Sequence, residues 1–261
     1  MNVKRITKSL LSTLLCVSAL SVQAEEALNR IEERGILRVA VPNDYPPFGS
    51  VDRNMTMQGL DIDIANLIAD KMGVNIELVP VTGPNRIPYL VSGMADLTIS
   101  SLGKTPEREE AIDFSIAYAP FFDAVYGNAS IEVEEVEDLN GKDIAVTRGS
   151  MQDQELSKMA PNANTQRFED NNGTISAFLS GQVPLFATGT SVAGTIQEKN
   201  PEADMELKVI LANAPCYIGI QKGQPELLAR VNQIIREAKS DGTIDDISQR
   251  WLGASAGELP E

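Results

Sequence analysis

Residues 96–115 read DLTISSLGKTPEREEAIDFS, and this stretch decides the fold. Leu97, Thr98 and Ile99 are apolar or β-branched, as a short buried strand requires. Ser100, Ser101, Leu102 and Gly103 then end the strand with small residues and free backbone amides. Thr105-Pro106-Glu107-Arg108 opens a helix, with proline suited to its first turn and glutamate to its positive end. Hydroxyls, amides and a guanidinium therefore gather at the carboxyl end of a strand. In open α/β sheets this is the edge where ligands bind. A guanidinium fork beside free amides suits a carboxylate, because it matches the two oxygens; taken alone, the stretch also reads as a loop with a surface arginine.

The flanking pattern extends the same architecture. Ile36–Val41 reads as a strand, and Gly59–Met72 as an amphipathic helix with Asp61 and Asp63 at its start. Val74–Val81 reads as a strand and Arg86–Val91 as a short helix. Between the first two elements, Asn43–Phe48 is too proline-rich for regular structure and holds Tyr45 and Phe48 on a stiff loop. The alternation then restarts. Phe121–Asn128 reads as extended, 143–147 as a strand ending in Arg148-Gly149-Ser150, and 184–187 and 207–211 as strands. Helices are expected from Met151, over Thr174–Leu179 and over 190–199, and 227–239 and 244–251 close the chain as helices. Strand alternating with helix in two successive runs predicts an α/β protein of two doubly wound lobes with a ligand cleft between them.

Composition narrows the chemistry. Lys4, Arg5 and Lys8 precede an apolar run from Leu10 to Leu20 that ends in Val22-Gln23-Ala24, the pattern of a cleavable signal peptide over residues 1–24. Cys16 follows Leu15 rather than a small residue, so a lipid anchor is not expected. Removing the first 24 of 261 residues leaves 237, and takes the net charge from −15 to −18 because the leader carries three cations and no acid. So acidic a surface excludes nucleic acid and anionic membranes as partners. Cys216 is the one cysteine beyond the leader, so no internal disulfide is expected. The absence of histidine excludes imidazole catalysis and histidine metal sites, and neither a metal nor a cofactor is expected.

These pieces resemble the family 3 bacterial extracellular solute-binding proteins, which deliver polar amino acids to ABC importers. The resemblance spans nearly all of residues 30–253. It rests on Gly59-Leu60-Asp61-Ile62-Asp63-Ile64, Asp44-Tyr45-Pro46-Pro47-Phe48, the run Thr105-Pro106-Glu107-Arg108 with Asp113-Phe114-Ser115, and Asp241-Gly242-Thr243-Ile244 leading to Trp251. It implies the two-lobed type II periplasmic binding protein fold, with hinge strands near 118–123 and 217–221. Lobe I would then comprise 25–119 and 219–261, and lobe II 120–218. It also implies a monomeric periplasmic protein whose partners are a small carboxylate ligand and the membrane subunits of an ABC importer. Arg108, helped by Ser100 and Ser101, would hold the ligand α-carboxylate, with Gly103 standing where many members have another hydroxyl. Tyr45 and Phe48 would pack on the ligand, and Ser150 would offer a hydroxyl or amide. Asn85-Arg86-Ile87-Pro88 is similar to the run with which glutamate- and aspartate-binding members receive the side-chain carboxylate, although a cysteine-binding relative also carries an Asn-Arg pair.

One departure concerns the second lobe. Members usually pair the ligand ammonium with an aspartate where this chain has Gly189, in Gly181-Gln182-Val183-Pro184-Leu185-Phe186-Ala187-Thr188-Gly189. An unpaired buried ammonium is costly. Either another acid takes this duty, with Asp153, Glu169 and Asp170 the nearest by sequence, or the ligand is a non-amino organic acid or an N-substituted amino acid admitted by the space glycine leaves. The exported cyclohexadienyl dehydratases share the resemblance, but no acid pair marks this chain as an enzyme; a binder without catalytic residues is the expectation.

Overall fold

A computed structural model describes residues 26–261, so the leader lies outside the described residues. Two five-stranded sheets form the framework. The first comprises β1 (Ile36–Pro42), β5 (Asn75–Val81), β6 (Leu97–Leu102), β7 (Ile112–Ala119) and β13 (Cys216–Gln221), in the order β5-β1-β6-β13-β7. Strand β1 is parallel to β5 and β6, whereas β13 runs antiparallel to both its neighbours. The second sheet comprises β8 (Phe122–Gly127), β9 (Asp143–Thr147), β10 (Asn164–Phe168), β11 (Leu185–Gly189) and β12 (Glu206–Asn213), in the order β10-β9-β11-β8-β12. Nine α-helices are described: α1 (Ala27–Arg34), α2 (Leu60–Met72), α3 (Arg86–Val91), α4 (Pro106–Ala111), α5 (Met151–Met159), α6 (Asn171–Leu179), α7 (Thr190–Lys199), α8 (Pro225–Ser240) and α9 (Thr243–Leu252). Among the described residues no helix is long and apolar enough to cross a membrane.

The chain leaves the first sheet at 120–121 and returns at 214–215. The return precedes the 217–221 expected for it. Tyr217 to Gln221 belong to a full strand laddered to β6 and β7, so hydrogen-bond register sets the boundary. Strand β7 is also absent from the sequence reading. Asp113 and Ser115 interrupt its apolar pattern, but the Ser115 hydroxyl accepts the Ile218 amide at 2.9 Å, at an irregularity in the β7–β13 register. The proline loop carries more order than its composition predicts. Strand β2 (Asp44–Tyr45) pairs with β3 (Gly49–Val51), which pairs with β4 (Met57–Gln58). Gly49 is required there, since a Cβ would lie 2.1 Å from the Pro42 carbonyl oxygen.

Packing follows amphipathicity. Ile64, Ile68 and Leu60 of α2 bury against Leu37, Val39, Leu97 and Ile99, and Val231, Ile234 and Ile235 of α8 join the same core. Val125, Ile144, Val146, Leu156 and Leu185 form a separate core on one face of the second sheet. Between the lobes, the rings of Tyr45, Phe48 and Phe121 stack with centroids 5.1–6.3 Å apart, joining the first lobe's core to the chain as it enters the second.

Candidate functional site

The first lobe presents two buried cations. Thr105 caps α4 by accepting the Arg108 amide at 3.2 Å, with Pro106 in the first turn. This seats Arg108 so that its guanidinium donates to the Gly103 carbonyl at 2.7 Å and, across the cleft, to the Gly149 carbonyl at 3.0 Å. Arg86, at the start of α3, donates to the Ser100 carbonyl at 2.9 Å. Its own carbonyl accepts from Thr98. Both arginines are buried, and among the described residues neither forms a salt bridge. Burial, and then the neighbouring Arg86 charge, lower the Arg108 pKa to about 9; burial likewise lowers that of Arg86. Two desolvated cations so close are tolerable where an anion completes them.

Behind them the end of β6 is pinned. Ser101 adopts φ 41°, and its amide donates to Asp61 at 2.7 Å. The other Asp61 oxygen accepts from Tyr118 at 2.7 Å. Burial raises the Asp61 carboxyl to about 7 against the opposing pull of these two bonds and of Arg86. Asp61, a member of the amphipathic helix pattern, thus supports the binding edge from below, a role that helix periodicity does not reveal.

The second lobe contributes differently. The Ser150 hydroxyl caps α5 by accepting the Asp153 amide at 3.1 Å. All three acids considered for the ligand ammonium are engaged elsewhere. Asp153 accepts from Arg167 at 2.8 Å and from the Gly149 amide at 3.0 Å, Glu169 pairs with Arg148 at the exposed surface, and Asp170 caps α6 through the Gly173 amide at 2.7 Å. Two acids line the cleft: Asp44, which accepts from Asn171, and Asp123 of β8, fully buried, with neither carboxylate oxygen hydrogen-bonded among the described residues. Asp123 stands directly opposite Gly189 in the antiparallel β8–β11 ladder. Directly paired residues share a sheet face, their Cβ atoms about 4.5–5.5 Å apart. A carboxylate expected at 189 is therefore found one strand away. The signal for it in the sequence is a lone acid inside the apolar run Phe121–Asn128.

The two glycines that depart from the resemblance do not leave open space. A Cβ on Gly189 would lie 2.3 Å from Cζ of Phe121, and one on Gly103 would lie 2.7 Å from Cγ of Met151. The room expected at Gly189 for an N-substituted amino acid is taken by the Phe121 ring.

Arg86, Ser100, Ser101, Tyr45 and Ser150 line one cavity with Asp123, Asp44, Gln152 and Asn171. Of the other expected residues, Arg108 sits beside this lining, Phe48 lies in the core beneath Tyr45, and the Gly189 amide donates to the Tyr45 hydroxyl at 3.1 Å. The Tyr45 hydroxyl also meets Thr188 at 3.3 Å and accepts from Gln152 at 3.3 Å. The Asn171 amide and side chain both donate to Asp44, at 2.8 and 3.1 Å. These bonds hold the lobes closed on each other. Asp44, Gln152 and Asn171 escaped the sequence reading because each is an ordinary loop or helix polar residue until the lobes meet.

A family model for bacterial extracellular solute-binding proteins, family 3, matches residues 37–254. The glutamine-binding protein of a Bacillus subtilis ABC transporter is 27% identical over 239 residues, covering 90% of this chain and 87% of its own. The solute receptor for L-cysteine of Neisseria gonorrhoeae superposes with a TM-score of 0.82 at 29% identity, over 90% of this chain and 99% of the receptor. An ancestral amino acid-binding protein described as a precursor of cyclohexadienyl dehydratase superposes with a TM-score of 0.79 at 32% identity, over 87% of this chain and 99% of its own.

Proposed function

Since the chain belongs to the family 3 bacterial extracellular solute-binding proteins, we propose that it captures an acidic amino acid between its lobes and carries it through the periplasm to the membrane subunits of an ABC importer. The observation that carries this reading is the pair of buried arginines without a counter-anion. Arg108 suits one carboxylate at the end of β6, and Arg86, lining the cavity, suits a second. Ser100, Ser101 and Ser150 line the same space and bring hydroxyls to it. Two of the relatives named above are described as receptors for glutamine and L-cysteine and the third as an amino acid-binding protein; the second carboxylate is what Arg86 adds to the reading for this chain.

A thermal-shift screen against the amino acids and small organic acids tests it. Glutamate or aspartate should raise Tm most, since a ligand at 100 times its Kd stabilises the native state by about 2.7 kcal/mol. Preference for a neutral or basic amino acid would refute the acidic assignment. As a binder, the protein should return the ligand unchanged. A dehydratase would instead use Asp123 as its acid, because burial raises that carboxyl to about 7. Conversion of prephenate or arogenate on incubation would establish that reading.

A further inference from the structure

Asp123 is a buried acid for which the described residues supply no hydrogen bond. Its strand neighbours cannot help: Gly189 opposes it on β11 and Ala212 on β12, and neither carries a side-chain donor. The cations nearest in charge, Arg108 and Arg86, direct their hydrogen bonds to the carbonyls of Gly103, Gly149 and Ser100 and form no salt bridge with it. A buried carboxylate without donors is costly, so a partner from outside the chain is needed for it to be ionised in the closed cleft. It lines the cavity that Arg86 lines, so such a partner and an anion on Arg86 can belong to one molecule.

We propose that Asp123 is the counter-charge for a cationic nitrogen of the bound solute, so that the cleft selects a zwitterion, with its nitrogen toward β8 and its carboxylates toward Arg108 and Arg86. The proposal rests on the solute-binding reading above, but not on the solute having a second carboxylate. Asp123 acts by direct contact, and Gly189 contributes by carrying no competing acid. The same arrangement excludes simple dicarboxylates, which would place nothing cationic against Asp123.

The test uses matched pairs that differ only in the amino group: glutamate with glutarate, and glutamine with glutaramate. Calorimetry at pH 8 on wild type should show the amino member of the bound pair favoured by about 100-fold or more. Asp123→Asn, which keeps the shape and removes the charge, should erase most of that preference by weakening the amino member alone. Binding of the glutamine pair and not the glutamate pair would refute the acidic reading while leaving Asp123 to be judged on glutamine. Equal losses for both members of a pair, an unchanged preference, or a wild type that binds the deaminated members as well would each overturn the proposal. A measurement without any variant supplements it. The groups that reach Asp123 are Glu155, Arg108 and Arg86, and its charge is felt by Tyr45 and Cys216. Asp61 also titrates near 7, but it affects both members of a pair alike. The amino preference should therefore fall as pH is lowered from 8 to 5.5, and a preference constant over that range would count against Asp123.

Discussion

The two lobes meet the ligand cleft with opposite strategies. The first lobe supplies cations that are anchored: Arg86 and Arg108 each hold backbone carbonyls, and the serines beside them end a strand braced by Asp61. The second lobe supplies an acid that is not anchored, Asp123, beside a glycine and an aromatic ring. A guanidinium can satisfy carbonyls and still present donors to a ligand, since it has five N–H groups. A carboxylate flanked by Gly189 and Ala212 has nothing to hold. The first lobe is thus preorganised without ligand, and the second is completed by it. Under the proposed function, this contrast would put specificity for the anionic end in one lobe and for the cationic end in the other.

The largest effect should come from Arg108. Arg108→Ala removes the anion partner and the bond to Gly149 that spans the cleft. Breaking a buried charge pair costs about 3–5 kcal/mol, so calorimetry should show affinity reduced by at least about 100-fold. Arg108→Lys should not restore it, because a point charge cannot serve two carbonyls and a carboxylate at once. Near-normal affinity in Arg108→Ala would end the assignment of the first lobe as the anion side.

Arg86 sharpens the comparison further. If it reads a second carboxylate, Arg86→Ala should weaken glutamate or aspartate by about 10- to 100-fold more than an amino acid lacking that group. Competition against a fluorescent reporter ligand would measure this, and equal losses would make Arg86 a brace for Ser100 only.

Gly189→Asp tests the second lobe from its other strand. The new side chain meets Phe121, and overpacking of this kind costs about 1–3 kcal/mol. Calorimetric melting should show a lower Tm, and Phe121→Ala should cost less stability in the Gly189→Asp background than in wild type, because there it also relieves the clash. A Gly189→Asp protein as stable as wild type would mean that the Phe121 ring does not constrain the position.

The smallest expected effect is on the pH dependence of stability. Burial raises the carboxyls of Asp61 and Asp123 from an ordinary 3.8 to about 7. Each therefore binds its proton more tightly in the folded than in the unfolded state. Their stabilisation is fully present below about pH 3.8 and is lost as pH rises toward and through 7. Asp123→Asn should flatten this decline and leave the ligand-free protein more stable than wild type at pH 8, by about 2–4 °C in Tm for each kcal/mol. A variant that melts below wild type at pH 8 would mean that Asp123 contributes to the fold rather than to the site.

The first lobe's half of the site is legible in the primary structure, and the second lobe's half is not. Arg108, Ser100 and Ser101 lie within nine residues of one another, and local rules of strand end, proline and helix start place them without reference to the rest of the chain. The apolar alternation likewise defines two α/β units. Strand β7 escaped this reading because Ser115 satisfies its break in pattern by bonding to β13, a strand 103 positions away. The cation partner escaped for a related reason. The pairing of Asp123 with Gly189 is a matter of register between β8 and β11, separated in the chain by two strands and two α-helices, and Phe121 fills the glycine's space only once that ladder forms. Residue type and local spacing therefore determined that an arginine and hydroxyls meet at the end of β6, the arrangement proposed to hold an anion. That Asp123 stands opposite Gly189 in the cavity was decided by strand register and by the closure of one lobe on the other, because its burial and its lack of a hydrogen-bond partner among the described residues exist only in the folded chain.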